Sequence, residues 1–231
     1  MTPLALVVTA PGTNRDLDVT EALGAAGAAV ERVRTRELTP QRLADTQIVV
    51  FAGGFSHADA LGSGAVWAND LRHLRDELQS FATTGGLVIG ICNGFQALVR
   101  LGLLPGSLGP NASGSFTCRW VTLEPTSNTN VWTDGLDGPI DCPVAHGEGR
   151  YVADETTRRN HMALRYAHAT NPNGSDDDIA GVTDTTGRVL GLMPHPENHI
   201  RPSQHPRHHR GGAGGLGLAL FRNGVRHTRT L

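Results

Sequence analysis

Three short apolar runs limit how this chain can fold. Residues 4–9 (LALVVT), 47–52 (QIVVFA) and 87–91 (LVIGI) are rich in β-branched and aliphatic side chains and are bounded by glycine and proline signals. They are too short for buried helices, and strands that are apolar on both faces belong in a sheet covered on both sides. The stretches between them read as helices. One begins at Asn14, which can cap it, and carries Val19, Leu23 and Ala26 at helical spacing. Residues 30–34 read as a further strand and residues 40–44 as a helical turn. A single long helix with Val66, Leu71, Leu74, Leu78 and Phe81 as its inner stripe is stopped by Gly85-Gly86. Residues 95–101 read as the next helix, stopped by Gly102. Such alternation predicts a parallel sheet flanked by helices, with ligands beyond the carboxyl ends of its strands.

The second half differs. Residues 115–124, 140–145, 164–166, 179–183 and 189–193 read as short strands separated by turn-rich loops, among them Asn171-Pro172-Asn173-Gly174-Ser175. No internal repeat or low-complexity linker divides the chain. Residues 1–231 therefore read as one α/β domain: an open, mostly parallel sheet flanked by helices and extended by antiparallel strands.

Composition removes several chemistries. All 20 basic residues are arginine. With no lysine the chain can form neither a Walker-type phosphate loop nor a Schiff base. A net charge of -2 argues against an extended nucleic-acid footprint. No apolar run approaches the ~20 residues that span a membrane, and the first residues lack the features of a secretory signal. Three widely spaced cysteines, Cys92, Cys118 and Cys142, do not make a disulfide framework. A reduced, cytoplasmic setting is expected.

Gly90-Ile91-Cys92-Asn93-Gly94 lies at a strand-to-helix junction and has the form of a nucleophile elbow, in which glycines permit a tight, closely packed turn. The helix N-terminus behind the cysteine favours a thiolate and offers backbone N–H donors. A cysteine here could equally be a small buried hydrophobe. Met193-Pro194-His195-Pro196-Glu197 weighs against that alternative. Its prolines enforce an extended segment, in which His195 and Glu197 face the same way. A carboxylate beside an imidazole fixes its tautomer, so Cys92, His195 and Glu197 together suggest a nucleophile–base–acid triad for acyl transfer. Gly53-Gly54-Phe55, at the end of a neighbouring strand, is either an ordinary turn or a source of oxyanion donors.

GICNGFQAL (residues 90–98) with MPHPE (residues 193–197) resembles the class I, triad-type glutamine amidotransferases, which have a flavodoxin-like fold. Three further motifs narrow the resemblance. Gly53-Gly54-Phe55-Ser56, Ala145-His146-Gly147-Glu148-Gly149-Arg150-Tyr151 and the Asn171-Pro172-Asn173-Gly174-Ser175 turn are similar to those of the glutaminase subunits of phosphoribosylformylglycinamidine synthase. The resemblance implies that Cys92 forms a γ-glutamyl thioester, with His195 as base and then acid and Glu197 orienting it. It also implies that Gly54, Phe55 and the N–H of Asn93 line the oxyanion hole, that Gln96 faces the bound L-glutamine, and that His146-Gly147-Glu148-Gly149 borders the pocket and the partner interface. On their residues alone, Gln96 could be an ordinary polar helix residue and His146 a structural histidine. No cofactor or metal is expected on this chain; ATP and Mg are expected on a large ATP-binding synthase subunit, joined by a small accessory subunit. A glutaminase serving another synthase and a catalytically decayed binding module are the alternatives.

The chain departs from the family pattern at Ala52, where proline is common, at His57-Ala58-Asp59, where Tyr-Gly-Asp is common, and at Asn198-His199, where arginine commonly follows the glutamate. The stretch with His199, Arg201, His205, Arg207, His208, His209 and Arg210 reads as a solvated or partner-facing basic loop rather than a metal site. Asp176-Asp177-Asp178 reads as a solvated turn, and Cys118 and Cys142 as structural.

Overall fold

The computed structural model describes residues 1–229 apart from 137, 168, 212 and 213. The alternating half contains β1 (Leu4–Thr9), α1 (Asp16–Ala26), β2 (Ala29–Arg34), α2 (Pro40–Ala44), β3 (Ile48–Phe51), α3 (Ala65–Leu71), α4 (Arg75–Thr83), β4 (Leu87–Ile91) and α5 (Asn93–Leu101). The second half contains β5 (Ser107–Pro110), β6 (Thr117–Pro125), β7 (Ile140–His146), β8 (Glu148–Val152), α6 (Glu155–His161), β9 (Met162–Tyr166), β10 (Ile179–Thr183), β11 (Val189–Leu192) and α7 (Leu218–Thr228).

Nine strands form one sheet in the order β2-β1-β3-β4-β11-β10-β9-β6-β7, and β5 and β8 form a separate ribbon. Neighbours from β2 to β11 run parallel, and every pair from β11 to β7 runs antiparallel. The fully apolar runs explain the central positions: β3, β4 and β11 are buried along their whole length. β11 is the seam. It lies parallel to β4 and antiparallel to β10, so the chain leaving it emerges beside the carboxyl end of β4.

Several expectations need correction. Asn14 does not cap α1. The helix starts at Asp16 behind Arg15 with no side-chain cap, because the N–H groups of Asn14 and Arg15 both turn to Gly53 O. The single long helix is two, α3 and α4, joined by a 3₁₀ turn over Arg72–Leu74. Residues three apart eclipse in that geometry, which keeps Leu71, Leu74 and Leu78 buried across the break. Helices α6 and α7 and the β5–β8 ribbon were not foreseen. Cys118 is exposed at the uncovered start of β6, whereas Cys142 is buried.

The histidine-rich stretch is not simply solvated. His199 and His205 are 0% and 1% exposed and pack edge-on against Trp120. His199 Nδ1 donates to Asp141 O at 2.7 Å, and His205 Nε2 lies 3.5 Å from Asp141 Oδ2. These contacts staple the loop to β7, while His209 and Arg210 remain exposed. Nor is the aspartate run free in solvent. Asp176 accepts from the N–H of Ala153, Asp178 accepts from Asn171 Nδ2, and Arg158 lies 3.3 Å from Asp177.

Candidate active site

The elbow forms because no side chain larger than hydrogen fits at its ends. A Cβ on Gly94 would lie 2.0 Å from Phe51 O, and one on Gly90 would lie 2.8 Å from the Gly94 carbonyl. Strand β4 therefore turns into α5 within a residue, and Cys92 takes φ 50° and ψ -105°, a conformation that costs a non-glycine residue free energy. Its N–H donates to Leu192 O at 2.8 Å, which ties the nucleophile to the seam strand. Cys92 is 5% exposed, and its Sγ lies 3.8 Å from Ala145 O.

The segment after His195 is not extended as expected: Pro196–Asn198 forms a 3₁₀ turn, and this turn rather than an extended strand brings Glu197 to the imidazole. His195 N–H donates to Pro143 O at 2.9 Å, fixing the segment against β7. Its Nδ1 lies 2.7 Å from Glu197 Oε1, and both side chains are buried. Burial alone would push the imidazole down. The adjacent Glu197 carboxylate and Cys92 outweigh it and raise the His195 pKa to about 10. Gly53 borders both residues: the place its Cβ would occupy is 2.9 Å from His195 Cε1 and 3.5 Å from Cys92 Cβ, so a larger residue at 53 would crowd the imidazole.

Of the expected oxyanion donors, the N–H of Phe55 is already committed to Gly12 O at 3.1 Å, and the Phe55 ring is exposed. The N–H of Gly54 has no acceptor among the described residues. Asn93, the first residue of α5, presents an N–H with no partner inside the helix. Of the three, only the N–H groups of Gly54 and Asn93 are therefore left without an acceptor among the described residues.

Gln96 is buried on α5. Its Oε1 accepts from Asn93 Nδ2 at 2.9 Å and its Nε2 donates to Glu148 O, so its amide braces the β7–β8 turn against the elbow helix. His146, at the end of β7, is 3% exposed. Asn111 sets its tautomer. The Asn111 amide nitrogen donates to Ser115 O and His146 O, so Oδ1 faces Gly149 N–H and His146 Nδ1, each at 3.1 Å. Nδ1 therefore carries the proton, and Nε2 is a buried acceptor with no partner among the described residues. Burial first, and then the positive His195, lower the His146 pKa to about 4. Sequence reasoning missed Asn111, and it placed Asp59 and Glu148 near the pocket only as parts of their motifs. Asp59 receives a bond from Asn93 Nδ2 at 3.0 Å, and burial together with nearby Glu148 raises its pKa against the hydrogen bonds that lower it. Among the described residues, no group of three or more His, Cys, Asp or Glu could hold a metal ion.

Residues 2–228 match the CobB/CobQ-like glutamine amidotransferase domain. The chain is 42% identical to phosphoribosylformylglycinamidine synthase subunit PurQ of Dehalococcoides mccartyi over 97% of each chain. It is also 42% identical to the subunit of the same name from Treponema denticola, over 87% of this chain and 89% of that one. The solved structure of PurLQS from Thermotoga maritima contains a chain 36% identical to this one, matched with a TM-score of 0.84 over 99% of this chain and 100% of that one. A glutamine amidotransferase from Thermotoga maritima, 16% identical with a TM-score of 0.58 over 88% of this chain and 79% of that one, shares the fold.

Proposed function

Since the chain belongs to the CobB/CobQ-like glutamine amidotransferase family, we propose that it is the glutaminase subunit of phosphoribosylformylglycinamidine synthase, with residues 1–231 acting as one domain. It hydrolyses L-glutamine to glutamate and ammonia. A large synthase subunit, assembled with a small accessory subunit, consumes that ammonia with ATP and formylglycinamide ribonucleotide. One observation carries the reading: a buried His195–Glu197 pair stands 2.7 Å apart beside an elbow cysteine, in a chain akin over nearly its whole length to named synthase subunits.

The proposed chemistry follows from where the proton rests. With its pKa raised to about 10, chiefly by Glu197, His195 holds a proton at neutral pH, and the proposed attack is by Cys92 as thiolate. The Cys92 sulfur attacks the γ-carboxamide carbon, and the developing oxyanion meets the N–H groups of Gly54 and Asn93. His195 gives its proton to the departing nitrogen, the C–N bond breaks, and ammonia leaves a γ-glutamyl thioester on Cys92. Water then gives a proton to His195 while its oxygen attacks the thioester. Glutamate leaves, and the original pair is restored. Glu197 holds the imidazole through Nδ1, which directs Nε2 at the reacting atoms. His146, neutral and lone-pair bearing, lines the same pocket.

ATP and Mg belong on the synthase subunit in this reading, because the chain lacks lysine and any phosphate loop. The setting is cytoplasmic, in keeping with free cysteines. Among the described residues no helix is long and apolar enough to cross a membrane. The test is reconstitution with the large and small subunits, glutamine, ATP and formylglycinamide ribonucleotide. Glutamate and the amidine product should form in equal amounts. Glutamate release without amidine formation would contradict the assignment.

A further inference from the structure

The oxyanion hole asks nothing of the side chain at position 93, since any residue there would present the same N–H. Yet Asn93 is 1% exposed and uses its amide fully. Its Oδ1 accepts from the N–H of Ser56 at 2.9 Å, and its Nδ2 donates to Asp59 Oδ1 at 3.0 Å and Gln96 Oε1 at 2.9 Å. The orientation is unambiguous, because a backbone N–H can only donate and a carboxylate here accepts. The segment it grips has poor conformational support of its own. His57, Ala58, Asp59 and Leu61 all have positive φ, between 52° and 62°, which persists only where the surroundings over-determine it. Leu61 is 91% exposed and contributes no packing. Other tethers reach the same segment: Gly12 and Pro11 accept from Phe55 and His57, His57 Nε2 lies 3.1 Å from Asp70 Oδ2, and Glu148 and Arg100 hold Ser63. Asn93 alone among them adjoins the nucleophile.

We propose that the Asn93 side chain is a positioning residue for the glutaminase reaction, clamping the Gly54–Asp59 segment to the nucleophile elbow so that oxyanion donor and nucleophile keep a fixed spacing. The proposal rests on the glutaminase reading. Such spacing matters in the transition state more than in substrate binding, because the oxyanion forms only then. Losing the clamp therefore lowers kcat and leaves KM nearly unchanged.

The experiment uses the full chain reconstituted with its synthase subunits, together with amide hydrogen exchange on the full chain alone. N93A should lower glutaminase kcat by about 10- to 100-fold, keep KM within about threefold, and speed exchange of the Ser56 amide while β4 stays protected. N93D keeps the acceptor for Ser56 but turns its second oxygen on Asp59 and Gln96. Its kcat should fall at least as far at alkaline pH and recover as the medium is acidified. Adding D59N converts that clash into a hydrogen bond, so N93D should cost far less kcat in the D59N background than in the wild-type background. Only a direct contact gives that coupling. Unchanged kcat in N93A, unchanged exchange at Ser56, or an N93D cost as large in the D59N background as in the wild-type background would each overturn the clamp. If N93A does not fold, the N93D and D59N cycle decides. A wild-type complex without glutamine turnover would instead defeat the glutaminase reading, and the exchange result would still decide whether Asn93 clamps the loop.

Discussion

The strands β2-β1-β3-β4 and the strands β10-β9-β6-β7 supply the site in opposite ways, with β11 between them. The parallel half supplies backbone turns. Cys92 and Gly54 sit at strand ends where neighbouring main chain approaches so closely that a Cβ on Gly94 or Gly54 would come within 2.0 or 2.8 Å of another backbone atom. The seam and the far side supply side chains set by polar partners: His195, just after β11, is anchored by its N–H to Pro143 O and by its ring to Glu197, and His146, at the end of β7, is held by Asn111. The Cys92 half should therefore be broken by added atoms, and the histidine half by removed charges and hydrogen bonds.

The largest effect is expected where the parallel half has no spare room. Gly94→Ala sets its methyl against Phe51 O, and a change of this kind costs upwards of about 3 kcal/mol. Denaturant unfolding should show a lowered midpoint at unchanged slope, and an unshifted midpoint would show that the elbow can relax. On the other side, Glu197→Gln adds no atoms but removes the carboxylate that holds His195. We expect kcat to fall by about 10²- to 10⁴-fold with little change in KM. The His195 Cε1 proton, followed by NMR, should titrate well below its wild-type pKa of about 10. An unmoved titration would mean that Glu197 does not set the proton.

The two buried histidines should give opposite pH signatures. The folded His146 pKa, about 4, lies below the ordinary histidine value, so acid loads the unfolded chain first. That alone should remove about 2 kcal/mol of stability between pH 7 and pH 5, and His146→Gln should flatten this limb. The folded His195 pKa is raised, so its contribution is complete below pH 6.5 and is lost as pH climbs toward about 10. Unfolding midpoints across this range check both signs. The smallest effect is expected at Gly109 in the β5–β8 ribbon, where a Cβ meets nothing within 4 Å. Gly109→Ala should stay within about 0.5 kcal/mol of wild type.

The same contrast explains what could be read from the sequence. The parallel strands were legible because burial on both faces leaves continuous apolar runs, and the elbow because only glycine fits at Gly90 and Gly94. The pairing of Glu197 with His195 was legible from its place two residues on, although a 3₁₀ turn over Pro196–Asn198 and not an extended segment makes it. The α3–α4 break was not, since a 3₁₀ turn keeps Leu71 and Leu74 at a spacing that also suits a continuous helix. The β5–β8 ribbon, with its half-exposed Ser107–Pro110 strand, leaves no apolar signature. The burial of His199 and His205 depends on Trp120 and Asp141, partners 58 to 85 residues away along the chain. The commitment of the Phe55 N–H to Gly12 likewise depends on a distant loop. Asn93 was read for its backbone alone, because two of its side-chain partners, Ser56 and Asp59, lie in a loop whose path the sequence does not reveal.

The central claim is that Cys92 makes ammonia for a partner and does nothing else that the partner needs. The direct measurement is amidine formation by the reconstituted synthase carrying Cys92→Ala, with glutamine in one assay and ammonium in the other. The account predicts that the glutamine-dependent rate disappears and the ammonium-dependent rate stays at the wild-type level. Loss of both rates, or survival of the glutamine-dependent one, would contradict it.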